Sequence, residues 1–221
     1  EVTLIDGRLF LPEAWTSDSA RCQAAGLPKA QRGFQRKTDL ALAMIRHARH
    51  QGIGFAWVGF DGFHGSDPAF PRALDAAGEV FVGDVQGSAD LSGGSAAGRP
   101  AQTAHGRPPI RLRAQTPAVR VDRWTQQQPA TAWQSTTLRE STKGPLRVEI
   151  LRQRVWLWED QKPQARPWRL IVRWEIDGPT EIKYSLGNAP ADTPTGVHAR
   201  PTLLDRTRLA TGPTGRRAGR L

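Results

Sequence analysis

An α/β fold is predicted: a partly parallel, helix-covered sheet first, then a β-rich antiparallel segment. Between about residues 38 and 85, helical periodicity alternates with short apolar runs. That helix–strand–helix–strand order belongs to a sheet with helices packed on it. From Arg147 to Ile176 the apolar residues fall in alternating runs instead, which marks strands with two unlike faces. The segments 86–113 and 194–221 are rich in Gly, Ala, Pro, Thr and Arg and hold no Phe, Trp or Tyr. Such composition offers too little apolar surface to offset the entropy of ordering. The sequence therefore divides into an α/β zone (1–85), a disordered basic linker (86–113), a β-rich zone (114–193) and a disordered basic tail (194–221).

Each element has its own signal. Leu9-Phe10-Leu11-Pro12 reads as a short strand that turns at the proline. Thr38 is placed as the cap of an amphipathic helix with Leu40, Leu42, Ile45 and Ala48 inward, Arg46 and Arg49 outward, and Gly52 as its stop. Ile53 to Asp61 is an apolar run of strand length. A helix is expected from Asp67-Pro68 to about Ala77, with Pro68 at a tolerated first position. Glu79 to Val85 follows as another strand. In the third zone, strands are expected at Arg147–Trp158 and Trp168–Ile176, with a shorter one at Tyr184–Leu186. Glu159 to Pro163 reads as a turn, and Ser141 to Gly144 as a hairpin turn.

Charge narrows the partners. The formal net charge is +10 and the pI about 11.0, which favours a polyanion, nucleic acid before membrane. Arg outnumbers Lys 26 to 5, a bias that GC-rich coding also produces. One cysteine, Cys22, excludes a disulfide framework and a multi-cysteine zinc site. No apolar run reaches membrane-spanning length and no secretory signal is visible at the start, so a cytoplasmic location is expected. The absence of an initial Met points to a natural start upstream of Glu1.

Asp61 is the most promising chemical group. It ends an apolar strand, where functional groups of open α/β sheets gather, and a carboxylate there can ligate a divalent cation. Asp61-Gly62 also reads as a plain turn. Asp84 ends the next strand in a similar way, and His64 can stand behind Asp61 or face a phosphate. His47 and His50 lie three apart on a helix without further ligands in sight. In the β-rich zone Arg147, Arg152, Arg154, Arg169 and Arg173 alternate with Trp156, Trp158, Trp168 and Trp174. Basic and aromatic residues together can grip a nucleic-acid backbone and stack on bases. The same pattern describes a small sheet with an aromatic inner face and a solvated outer one.

Several of these segments, taken in order, resemble a known family. They are Leu9-Phe10-Leu11-Pro12 with Trp15, Ala25-Gly26-Leu27-Pro28, Phe34-Gln35 with Lys37, Gly59-Phe60-Asp61-Gly62-Phe63-His64-Gly65, and Pro68 with Phe70. The likeness resumes from Ala114-Gln115-Thr116-Pro117 and runs to Asp192-Thr193-Pro194, including Leu138 to Pro145 and Ser185-Leu186 with Asn188-Ala189-Pro190. Together they resemble the DDE superfamily endonucleases of bacterial insertion sequences. That resemblance implies a ribonuclease-H-like core interrupted by a β-rich insertion, acting in DNA transposition through two Asp and one Glu that hold two divalent ions, usually magnesium.

Under the resemblance Asp61 matches the second acid and is the residue assigned to metal and catalysis. The first acid is expected ahead of Glu1. The third is expected as a Glu on a helix after Asn188-Ala189-Pro190, yet no Glu follows Glu181 and no aromatic follows Tyr184. The likeness lapses at 86–113 and again near 195; out-of-frame reading of GC-rich DNA is the expected cause of both gaps, and a divergent but intact linker and tail is the alternative. Three functions follow as expectations: a transposase relic without cleavage activity, a non-catalytic DNA-binding module using the Arg/Trp sheet, or an enzyme completed by another chain. DNA is the expected partner in each, and the oligomeric state is left open.

Overall fold

The structure, a computed structural model of the 221-residue chain, describes residues 3–91, 99–100, 112–113, 118–141, 144–156, 158–159, 162–163, 167–178 and 181–190. The Leu9–Pro12 strand expected from sequence does not form. Leu9 is exposed, and no neighbouring strand among the described residues satisfies its backbone. Pro12 instead caps the short helix α1 (Glu13–Thr16). Helix α2 (Ser19–Ala24) begins where the Asp18 carboxylate accepts the Arg21 N–H at 2.9 Å, and it buries Cys22.

Helix α3 (Lys37–His50) carries the predicted apolar stripe and ends before Gly52, whose φ of +75° is the left-handed turn that glycine permits. Its cap is Arg36, not Thr38. Thr38 is drawn into the first turn, where its buried hydroxyl donates to Asp67 Oδ2 at 3.3 Å. Arg49 is not simply outward-facing: it binds both oxygens of Glu79, at 2.9 and 2.7 Å, and lies over the Phe55 ring. Strand β1 (Val58–Phe60) uses only the end of the expected run, because its parallel neighbour β2 (Phe81–Val85) pairs with it from Val58↔Phe81 to Phe60↔Gly83. Between the two strands lie α4 (Gly62–Gly65) and α5 (Ala69–Ala76). Pro71 is tolerated in the first turn of α5, where backbone N–H groups have no intrahelical acceptor.

The second half completes the same sheet. Two elements without a clear sequence signal appear, α6 (Val121–Gln126) and β3 (Gln134–Ser141). The expected hairpin closes at Ser141↔Gly144 and leads into β4 (Gly144–Val155). Strands β5 (Trp168–Glu175) and β6 (Lys183–Gly187) follow. The sheet runs β1-β2-β6-β5-β4-β3, parallel at β1/β2 and antiparallel elsewhere. The β-rich zone is thus joined edge to edge with the α/β zone, through pairs such as Asp84↔Ser185. Of the segment expected to be a linker, Asp90–Leu91 pairs with Val119–Arg120 and Arg99–Pro100 with Leu112–Arg113. Most of that segment, and all of the expected tail 194–221, lies outside the described residues.

Alternation sorts the sheet into two faces. One carries Phe60, Phe81, Val85, Leu151, Val155, Trp168, Leu170, Val172 and Leu186, which form the main core with Leu42 and Ile45 of α3, Phe70 and Leu74 of α5, and Val121 of α6. Aromatic rings fill it closely: Phe81 meets Trp168 edge-on with centroids 5.0 Å apart. The other face holds a smaller cluster of Val148, Ile150 and Ile171. At the end of β6, buried Asn188 ties three elements together. Its Oδ1 accepts the Phe81 N–H at 2.8 Å, and its Nδ2 donates to the Glu79 carbonyl at 2.9 Å and to Asp75 Oδ1 at 2.6 Å.

Candidate active site

Asp61 stands one residue beyond β1, at its C-terminal end, with an extended backbone (φ −85°, ψ 175°). What fixes it is the packing below. The Phe60 ring lies over Gly83, where a Cβ would sit 1.8 Å from a ring carbon, and meets Phe70 edge-on at 5.2 Å. Gly65 brings α4 down onto β2 so closely that a Cβ there would lie 1.9 Å from the Asp84 carbonyl oxygen. Both glycines are therefore required by close approach rather than by turn geometry. Together they hold the strand end and the first turn after it.

The carboxylate itself caps α4. Asp61 Oδ1 accepts the His64 N–H at 3.2 Å and lies 2.9 Å from His64 Nδ1. An ionised carboxylate has no proton to give, so Nδ1–H is the donor in that contact. Burial pushes the Asp61 pKa up, but the hydrogen bonds from the His64 ring and backbone outweigh it, and the net effect holds the acid below its ordinary value. With about half of its side-chain surface open to solvent (54%), the group is ionised and presented outward. An exposed carboxylate suits a hard divalent cation. Among the described residues, however, no group of three or more His, Cys, Asp or Glu side chains gathers in a metal-holding arrangement. Among the described residues, His47 and His50 of α3 belong to no such group.

Asp84 follows Gly83 as Asp61 follows Phe60, so the parallel register sets the two acids level on neighbouring strands. Asp84 is engaged from the other side: Ser185 Oγ donates to its Oδ1 at 2.6 Å. Sequence reading placed Asp84 at a strand end but missed Ser185, about a hundred residues away. The only available signal was the apolar alternation that makes β6 a strand.

The five arginines singled out from sequence do not share one surface. Arg152, Arg154, Arg169 and Arg173 alternate onto the face opposite the main core, and Arg154 and Arg169 pair directly across β4 and β5. Arg154 is exposed, and Arg152 and Arg169 are half-buried. Burial first, and then the like charge of Arg169, lower the pKa of Arg152. Arg173 is buried (7% exposed), and that burial lowers its pKa against the opposing pull of Asp84 and Glu175. Arg147 alternates to the core side and extends to Asp177, with two contacts of 2.9 Å. Trp168 is buried in the main core and so does not stand among these arginines on the other face. The side chain of Trp158 lies outside the described residues.

A mixed sheet with helices packed on it, and an acid at the end of a parallel strand, define an α/β protein; the ribonuclease-H-like class comes from its family. The model of the DDE superfamily endonuclease family matches residues 2–145, and the chain belongs to that family. No curated protein matches it. The family match takes in Asp61, α4, β2 and all of β3, while β5 and β6 extend the same sheet beyond it.

Proposed function

We propose that this chain is built on the catalytic scaffold of a DNA transposase, the metal-dependent cleavage and strand-transfer enzyme of an insertion sequence. In this reading Asp61 is one of the carboxylates that hold the ions. The observation that carries it is the ionised, outward-facing Asp61 at the end of a rigid strand within the family-matched region. In such enzymes two divalent ions, magnesium as a rule, flank the scissile phosphate and stabilise both attacking and leaving oxygens. The chain's own contribution at this point is positional. Phe60 and Gly83 fix the strand, Gly65 seats the turn against Asp84, and His64 orients one carboxylate oxygen. The second oxygen of Asp61 is the one offered to an ion.

Asp61 is the one acid of the family pattern that the resemblance assigns within these residues. We therefore read the chain, taken alone, as inactive in cleavage, and the segments 86–113 and 194–221 as products of out-of-frame coding. One carboxylate is a poor magnesium site, because that ion gives up its waters only to several well-placed oxygens. Incubation of the purified chain with supercoiled and linear DNA in magnesium or manganese tests this. Neither nicking nor joining is expected. Metal-dependent cleavage that vanishes in Asp61→Ala would establish an active enzyme instead, and nucleotide sequence that restores no family-like residues in another frame would refute the coding argument.

A second reading, a non-catalytic DNA-binding module, draws support from Arg152, Arg154 and Arg169. They crowd like charge on one sheet face, and a phosphate backbone relieves such crowding.

A further inference from the structure

Beside Asp61 lies a group of side chains that the cleavage reading does not use. Most phenylalanines near this strand end are spent on packing: Phe60 and Phe70 are buried and meet edge-on. Phe63, two residues past Asp61, is different. It is 54% exposed although it belongs to the same short turn of α4. Its ring stands edge-on to the His64 imidazole, with centroids 5.2 Å apart, and that same imidazole holds the Asp61 carboxylate. The ammonium of Lys37, from the first turn of α3, sits 5.1 Å from the Phe63 ring centroid and 4.9 Å from that of Phe10. One cation thus bridges two aromatic rings at the edge of the acid.

We propose that Phe63 is a stacking platform for an unpaired base of the DNA next to the scissile phosphate, with Lys37 as the contact to that nucleotide's backbone. This rests on the proposal that Asp61 faces a DNA phosphate. An exposed ring offers a π-face that any base can occupy, and the Lys37 ammonium over that ring is close enough to meet the adjoining phosphate. The turn is rigid, since Gly65 is pressed onto β2 and Asp61 caps α4. The platform therefore keeps a fixed distance from the carboxylate, which is what placing a phosphate beside Asp61 requires. A fully paired duplex keeps its bases stacked on one another and gives Phe63 little to bind.

The test uses the whole chain and two DNA duplexes of one sequence, fully paired or carrying a single unpaired 2-aminopurine. Base–aromatic stacking corresponds to roughly a tenfold affinity difference or more. Wild type should prefer the duplex with the unpaired base by about that factor and quench its 2-aminopurine fluorescence. Phe63→Ala should lose both the preference and the quenching, and Phe63→Trp should restore them. Lys37→Ala should weaken binding and flatten its salt dependence. A preference that survives in Phe63→Ala, or a wild type that binds both duplexes equally, overturns the stacking proposal while leaving the DNA reading intact. A chain that binds neither duplex overturns the DNA reading itself, and this proposal with it.

Discussion

Asn188→Ala removes one side chain and breaks three hydrogen bonds at a junction of α5, β2 and β6. The Phe81 N–H and the Glu79 carbonyl, which Asn188 satisfies at 2.8 and 2.9 Å, lose a partner beside a buried side chain. An orphaned buried backbone group costs about 1–3 kcal/mol. The carbonyl has a second lone pair, and Asp75 is half-open to water, so the N–H dominates the loss. A total of roughly 3 kcal/mol is expected, a large share of the about 5–15 kcal/mol typical of a folded domain. With a urea dependence of about 2 kcal/mol per molar, the unfolding midpoint should fall by about 1.5 M. Asn188→Asp keeps the acceptor for Phe81 but turns a carboxylate toward Asp75 and the Glu79 carbonyl, so it should not rescue. Urea titration followed by tryptophan fluorescence measures both variants. A loss below about 0.5 kcal/mol for Asn188→Ala, within the range of an ordinary surface substitution, would refute the junction's role.

Gly83→Ala drives a methyl into the Phe60 ring and should cost about 1–3 kcal/mol. In a Phe60→Ala background the same change should cost far less, and additive losses in that double-mutant cycle would contradict the contact. The Asp61 carboxyl, lowered in the folded chain, contributes stability above the unfolded value of about 3.9 and loses it as pH falls through the folded one. His64→Ala should raise its titration midpoint in a carboxyl carbon-13 NMR titration, and an unmoved midpoint would show that His64 does not set it. For duplex binding, Arg154→Ala and Arg169→Ala should each reduce the log–log salt slope by about one. Arg147→Ala, on the other face and engaged with Asp177, should change it less. Equal slopes for all three variants would remove the Arg face from the account.

Much of this fold was legible because the informative patterns are local. The stripe Leu40, Leu42, Ile45 and Ala48 marks α3, the alternation from Arg147 onward marks β4 and β5, and Gly144 marks the hairpin. Strand β3, with the sequence Gln-Ser-Thr-Thr-Leu-Arg-Glu-Ser, was missed because it is an edge strand and needs few apolar residues. The Leu9–Pro12 strand did not form: among the described residues no strand pairs with it, and Leu9 stays exposed. That β6 pairs with β2 is a non-local fact, carried by Asp84↔Ser185 and by Asn188, which no window of sequence contains. At the site, the position of Asp61 was readable from the apolar strand before it. Its bond to His64, the seat provided by Gly65 and the exposure of Phe63 depend on how α4 lies against β2. The five arginines shared one alternating pattern, but strand parity sends Arg147 to the face opposite the rest.

We propose Asp61 as a metal-holding carboxylate, and titration of the whole chain with Mn²⁺, followed by amide NMR, is the direct test. Weak binding, roughly millimolar, is expected for a site with a single carboxylate. Paramagnetic broadening should centre on the amides of Gly62, Phe63 and His64 and disappear in Asp61→Ala. Broadening elsewhere on the sheet, or broadening at these amides that persists without the Asp61 carboxylate, would contradict it.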